Sequence, residues 1–262
     1  CHRDNFIIFK HAVIRFRFPN LLMKKKYNIN ADMGEAIGDD ANLMPLIQAC
    51  NIACGGHAGS ASEIKKTIAL AELHDVLIGA HPSYPDRDHF GRRSITLSNN
   101  DLQQSLRNQI SLLIDQLEAS SLHHIKPHGA LYHDCNSDQE IAKTLVAVAN
   151  DLCPKVLFVT SPESILGEIA IAHGFNIWNE AFLDRAYTDN GQLVPRKQKG
   201  SVLETPSQLY ERFYNLLHNQ RVLTTNNKWI PMKADTICIH GDHPHAVKNL
   251  NAVLTQYQTN LS

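Results

Sequence analysis

The 262-residue chain has no cysteine pair at Cys-x-x-Cys spacing, no excess of either charge, and no apolar run near the roughly 18 residues of a membrane helix. Its six cysteines, Cys1, Cys50, Cys54, Cys135, Cys153 and Cys238, are scattered. They read as reduced thiols of a cytoplasmic protein rather than as a disulfide framework. With 25 basic and 26 acidic residues, the chain lacks the basic face that nucleic acid or an anionic membrane surface requires, and Lys24–Lys26 is its one basic cluster. No Gly-x-Gly-x-x-Gly follows the first expected strand, which argues against a dinucleotide-binding sheet. No Gly-x-x-x-x-Gly-Lys-Ser/Thr occurs either, and the turn Gly55–Gly59 lacks the lysine of a phosphate loop. Residues 1–22 make a poor signal peptide, because Arg3, Lys10, Arg15 and Arg17 interrupt them and no small-residue cleavage site follows. With Met23 standing just before the first strand, residues 1–22 are expected to be a dispensable N-terminal extension and residues 23–262 a single barrel domain.

What the chain has in quantity is histidine, 15 residues, the side chain most used for metals and for proton transfer near neutral pH. One stretch organises the rest. Ala49 to Cys54 is an apolar strand that enters the glycine-rich turn carrying His57, and a helical pattern begins at Ser60. The same order of apolar strand, ionisable residues, then helix recurs. Tyr27–Asp32 leads to Glu35, Val76–Ala80 to His81–Pro82, Leu122–Ile125 to Lys126–Pro127–His128, Phe175–Asn179 to Glu180, and Thr236–Ile239 to His240–Gly241–Asp242. Val156–Thr160 is a further strand. Helix signals lie between them: Ser60 to His74, a helix capped by Ser98 with a Leu102, Leu106, Ile110, Leu113 stripe, a start at Ser161–Pro162, and another at Thr205–Pro206. Two long loops, Ser83–Ser94 and Ala181–Val202, stand out, the second as a lid or partner surface.

Seven strands alternating with helices predict an α/β fold, a parallel (β/α) barrel of seven strands. Closure of such a barrel gathers all strand exits on one face. Asp32, Glu35, Asn51, His57, His81, Lys126, His128, Glu180, His240 and Asp242 would then surround one pocket. Any one of these is ordinary in a loop. Four histidines at four strand exits are harder to read as incidental.

The motifs Asn30–Ala31–Asp32–Met33–Gly34–Glu35, Asn51 through Gly59, Gly79 through Asp86, Phe90–Gly91–Arg92–Arg93, Lys126 through Tyr132, Glu180 through Tyr187 and His240–Gly241–Asp242 together resemble the family of 5-oxoprolinase A subunits, also called the lactam-utilisation family. The resemblance runs over about residues 27–257, with Met33 where leucine is usual. It implies a barrel similar to that of glycoside hydrolases and polysaccharide deacetylases. It also implies ATP-dependent hydrolysis of 5-oxo-L-proline to L-glutamate, in a complex with 5-oxoprolinase subunits B and C, ATP being bound here or by a partner.

Opening a lactam needs activated water and a group that stabilises charge or supplies a proton. The candidate catalytic residues are Asp32 or Glu35 as base, His128 as acid, and His57 and Lys126 beside them. Lys126 or Arg92 would bind the substrate carboxylate or a phosphorylated lactam oxygen. Asn30, Asn51, His81, Arg92, Glu180, Arg185, His240 and Asp242 are candidates for substrate binding. Asp32, His57 and His128 would suit a divalent metal. The competing expectations are a stand-alone metal-dependent amidase or deacetylase, and a non-catalytic subunit that presents the lactam to partners.

Overall fold

The computed structural model describes residues 27–117, 121–243 and 245–260; the expectation for residues 1–22 lies outside them. Seven short apolar segments form a closed, all-parallel barrel: β1 (Ile29–Met33), β2 (Ala49–Ala53), β3 (Leu77–His81), β4 (His124–Ile125), β5 (Leu157–Thr160), β6 (Asn176–Phe182) and β9 (Thr236–Ile239). Closure is made by β9, which pairs with β1 at Ala31↔Ile239 and with β6 at Phe182↔Cys238. The remaining strands, β7 (Arg221–Leu223) and β8 (Trp229–Pro231), make an antiparallel hairpin between β6 and β9.

Strand side chains alternate between two faces, and here the alternation divides apolar from polar. Outward positions such as Ile29, Ala31, Met33, Ile52, Ile78, Ala80, Ile125 and Ile237 join the hydrophobic core under the helices. Inward positions carry Asn30, Asp32, Asn51, His81, His124, Glu180, Thr236 and Cys238. Hydrogen bonds between strands that are not neighbours, such as Asn30 to Glu180 at 2.9 Å, place these side chains inside the ring. The interior is crowded: Gly79 is paired with both Asn51 and His124, and a Cβ there would fall within the His124 imidazole.

The helices are α1 (Asp40–Leu43), α2 (Ala61–Leu73), α3 (Asn99–Ile114), α4 (Gly129–Ser137), α5 (Gln139–Leu152), α6 (Ile165–Ala172), α7 (Pro206–Tyr214) and α8 (Ala246–Thr259). Their starts follow local chemistry. The Ser60 hydroxyl accepts from the Glu63 amide, Ser98 from Asp101, and Thr205 forms a reciprocal box with Gln208 ahead of Pro206. In α3 the expected stripe of Leu102, Leu106, Ile110 and Leu113 is buried, worth about 1.5–3 kcal/mol per side chain before entropy is charged against it.

Several elements differ from the expectations. The cap of α6 is Ser164, three residues after Ser161, whose hydroxyl instead donates to Tyr132. A separate helix, α4, follows His128 directly. β6 continues through Glu180 to Phe182. The segment after it is not an open lid: Leu183, Asp184, Arg185, Ala186, Tyr187 and Val194 are buried, and Tyr187 bridges Leu193 and the hairpin residue Thr224.

Candidate active site

The C-terminal ends of the strands open into a cavity of about 640 Å³, within the ~300–1,000 Å³ typical of small-molecule sites. Asp32, Glu35, His81, Arg92, Lys126, His128, Arg185, His240 and Asp242 line it. Residues from five strands and the loops after them therefore meet at one mouth. Asn30, Asn51 and Glu180 lie a layer lower, buried and outside the lining, and His57 sits behind Glu35 and His128.

The lower layer is a charged hydrogen-bond network. Lys126 Nζ donates to Asp32 Oδ1 at 3.0 Å, and reaches Glu180 Oε1 at 2.9 Å, Cys238 Sγ at 3.1 Å and Asn30 Oδ1 at 3.3 Å. An ammonium has three protons, and four acceptors already surround it. Lys126 therefore has none to spare for a substrate anion. Burial pulls this ammonium down, but Asp32, Cys238 and Glu180 hold it well above its usual range. Asp32 Oδ1 also accepts from Asn51 Nδ2 at 2.9 Å, and Asn51 Oδ1 in turn accepts from His124 Nε2 at 2.8 Å. Burial raises the Asp32 carboxyl, while His81 and Lys126 outweigh it and keep the carboxyl well below the usual range.

Three imidazoles and two carboxylates form the upper floor. His57 is delivered by a turn that Gly55 opens at φ +95°. Its ring stacks on His128 at 3.6 Å, and its Nε2 donates to Glu35 Oε1 at 2.9 Å. Burial first, and the neighbouring His81 second, push His57 down to about 2, so the ring is neutral. His81 Nδ1 faces the Lys126 carbonyl at 2.7 Å, and His128 Nε2 faces the Phe90 carbonyl at 3.0 Å. A carbonyl only accepts, so both nitrogens carry hydrogen. The inner nitrogens, His81 Nε2 and His128 Nδ1, lie 2.9 Å apart. His128 is held well below its usual range by burial and by His81 and His57; as a neutral ring whose one N–H is given to Phe90, it has no proton for the cavity, against the expectation of an acid there. Glu35 is raised to about 7, by burial first and by Asp32 second.

The rim is cationic. Arg92 Nη2 and Arg196 Nη1 both donate to Asp242 Oδ2, at 2.8 and 3.0 Å, and Lys197 lies alongside. Asp242 does not cap α8, which begins three residues beyond its neighbour His243. Arg185 is spent largely on its own loop, donating to the Val194 and Ser201 carbonyls. His240 faces both Asp184 oxygens at 3.0 Å and stacks on Phe182. Burial raises Asp184, but the His240 charge and hydrogen bond bring it below its usual range.

The chain matches the LamB/YcsF family over residues 27–261. It belongs to that family. Among LamB/YcsF relatives, the 5-oxoprolinase A subunit of Pyrococcus horikoshii is 36% identical over 230 residues, 85% of this chain and 90% of the relative. The Neisseria meningitidis serogroup C protein of the same name is 36% identical over 225 residues, 85% of this chain and 92% of its own length. The crystal structure of the lactam utilization protein from Thermus thermophilus superposes with a TM-score of 0.82 at 34% identity, covering 88% of this chain and 97% of that one. The chain is thus a homologue of 5-oxoprolinase A subunits, with the family's barrel.

Sequence reasoning passed over several residues of this LamB/YcsF site. His124, buried on β4 below the floor, orients Asn51. Asp184 partners His240, and the Phe90 carbonyl fixes the His128 tautomer. Arg196 and Lys197 were visible only as charges in a long loop. An imidazole inside a strand, as at His124, was the one available signal. His81, rather than His57, stands beside Asp32, with Nε2 3.3 Å from Oδ2.

Proposed function

We propose that this chain works as the A subunit of an ATP-dependent 5-oxoprolinase, opening the lactam of 5-oxo-L-proline to L-glutamate together with subunits B and C. ATP is the co-substrate of that assembly. The observation that carries the reading is the pairing of a cationic rim with a floor of carboxylates and imidazoles in one cavity, on a chain homologous to the 5-oxoprolinase A subunit over most of its length.

The substrate carboxylate is bound by Arg92, Arg196 and Lys197, since Lys126 and Arg185 are already committed. This orients the ring so that its carbonyl points to the floor. Glu35 is the base. Its contacts with His57 and His128 both run through Oε1, and it is the more basic carboxylate, since His81 and Lys126 hold Asp32 well below the usual range. Once ATP has phosphorylated the lactam oxygen, releasing ADP, water adds to the lactam carbon as Glu35 takes its proton. The C–N bond then breaks, the same carboxyl returns the proton to the departing nitrogen, and a second water hydrolyses the resulting acyl phosphate to glutamate and phosphate. Asp32, held ionised by Lys126, supplies fixed negative charge beneath the reacting centre, and His57 holds Glu35 in place.

No helix among the described residues is long and apolar enough to cross a membrane, and the five described cysteines are free thiols. Both support a cytoplasmic location. We also keep the barrel as a single domain over 23–262 with residues 1–22 dispensable to it; a truncated chain that fails to fold overturns that division.

The test is reconstitution. The full chain, co-expressed with subunits B and C from the same source, is assayed for glutamate released from 5-oxo-L-proline. ATP-dependent release that vanishes when this chain is omitted supports the proposal. An assembly that hydrolyses the lactam equally well without it overturns it.

A further inference from the structure

At the cavity floor His81 Nε2 lies 2.9 Å from His128 Nδ1 and 3.3 Å from Asp32 Oδ2. The outer nitrogen of each ring is fixed as a donor, His81 Nδ1 to the Lys126 carbonyl and His128 Nε2 to the Phe90 carbonyl. If both rings are neutral, the inner nitrogens are lone pairs directed at each other across 2.9 Å. Asp32 Oδ2 adds a third acceptor, 3.3 Å from His81 Nε2, because the donors to Asp32, Lys126 Nζ and Asn51 Nδ2, both go to Oδ1. Lone pairs held this closely need positive charge between them.

We propose that Asp32, His81 and His128 form a binding site for one divalent transition-metal ion, of the zinc class, at the floor of the barrel mouth. Two imidazoles and a carboxylate are ligands such ions accept. Donor atoms about 2.0–2.2 Å from a tetrahedral zinc lie about 3.3–3.6 Å from one another. The separations here are 2.9 Å between the two rings and 3.3 Å from His81 to Asp32, with Glu35 Oε1 3.4 Å from His128 Nδ1 at the next corner. Small outward rotations of the rings open the closest pair to that spacing. The atoms behind the ligands are also placed as metal sites require: each ring gives its far N–H to a backbone carbonyl, and the far oxygen of Asp32 is held by an ammonium and an amide. His57 stands one place back, with Nε2 2.9 Å from Glu35 Oε1 and a buried Nδ1 that has no hydrogen-bond partner among the described residues. When bound, the ion would supply Lewis-acid charge facing the cavity, beside Glu35.

The competing arrangement has no metal. A doubly protonated His81 would share its Nε2–H between His128 Nδ1 and Asp32 Oδ2. The two are separated by measuring binding itself, so the outcome is independent of whether 5-oxoproline is the substrate. The purified full chain is stripped with a chelator and titrated with zinc by calorimetry, and with cobalt while its visible d–d absorption is followed. The inference expects one ion per chain, a four- or five-coordinate cobalt spectrum, and a rise in melting temperature on adding zinc. His81→Gln and His128→Gln should each weaken zinc binding by about 100-fold or more, since even the loss of a group behind the ligands costs 10–100-fold. Asn249→Ala, remote from the floor, should not. If the glutamine variants fold poorly, the wild-type titration and its thermal shift decide alone. Absence of saturable binding to the stripped wild-type chain, or binding that both glutamine variants retain unchanged, overturns the site in favour of the shared proton.

Discussion

Replacing Lys126 with methionine should be among the most destabilising single changes in the barrel. The ammonium is buried, with its side chain 3% exposed, and lies 3.0 Å from Asp32 Oδ1 and 2.9 Å from Glu180 Oε1. Methionine fills most of the volume but leaves two carboxylates inside the ring without a counter-charge. Glu180 Oε2 already has no hydrogen-bond partner among the described residues. Breaking a buried pair by removing one member costs about 3–5 kcal/mol. At about 2–4 °C per kcal/mol for a chain of this size, the melting temperature falls by roughly 6–20 °C. Urea unfolding followed by circular dichroism measures it, with an unchanged slope showing that the same cooperative unit unfolds. Adding Glu180→Gln to Lys126→Met removes one uncompensated charge and should return about 1–3 kcal/mol, a coupling opposite in sign to simple additivity. The deficit of Lys126→Met should also shrink as pH falls, because protonating the stranded carboxylates relieves them. A single variant within about 1 kcal/mol of wild type, or a double variant less stable than Lys126→Met, refutes the charge account.

Gly79→Ala should be expressed poorly or melt well below wild type, because the new methyl group claims the space of the His124 ring; an unperturbed melting curve would show that the interior can yield. His124 is held well below its ordinary range by burial and its charged neighbours, so the unfolded chain binds this proton first as pH drops below about 6.5. Stability from its neutral ring is present above that pH and is lost below it, and His124→Gln should flatten the acid limb by up to about 1.4 kcal/mol per pH unit, read from unfolding at a series of pH values. In the assembled enzyme, Arg92→Ala with Arg196→Ala should raise KM for 5-oxo-L-proline about tenfold or more, with a smaller change in kcat, as expected when an interaction binds substrate and transition state alike; a fall in kcat at constant KM would move these cations into the chemical step.

The barrel was legible because parallel strands covered on both faces tend to be apolar runs, and β2, β3, β5 and β9 announce themselves that way, while β1 shows itself by alternation of apolar and polar residues. β9 is found at Thr236–Ile239 as the hydrophobic pattern predicts. Convergence of Asp32, Glu35, His81, Lys126, His128, His240 and Asp242 followed from topology alone. Three things were not legible. The hairpin β7–β8 is too short, three residues a strand, to show a period. The burial of Ala181–Val202 depends on Tyr187 and Arg185 finding partners far along the chain. Hydrogen-bond direction was hidden altogether. Whether Lys126 is free to meet a substrate, or whether His128 has a proton to give, depends on which carbonyls and carboxylates surround each atom, and a strand-exit pattern contains no such information.

Glutamate formation by the reconstituted complex carrying Glu35→Gln tests the central claim most directly. Glutamine keeps the shape and the contact with His57 but cannot take a proton from water. The account predicts that the complex still assembles and binds 5-oxo-L-proline while turnover falls at least 100-fold, the scale of a lost general base. Turnover within a fewfold of wild type would contradict it, and would move the chemistry of lactam opening away from the mouth of this barrel.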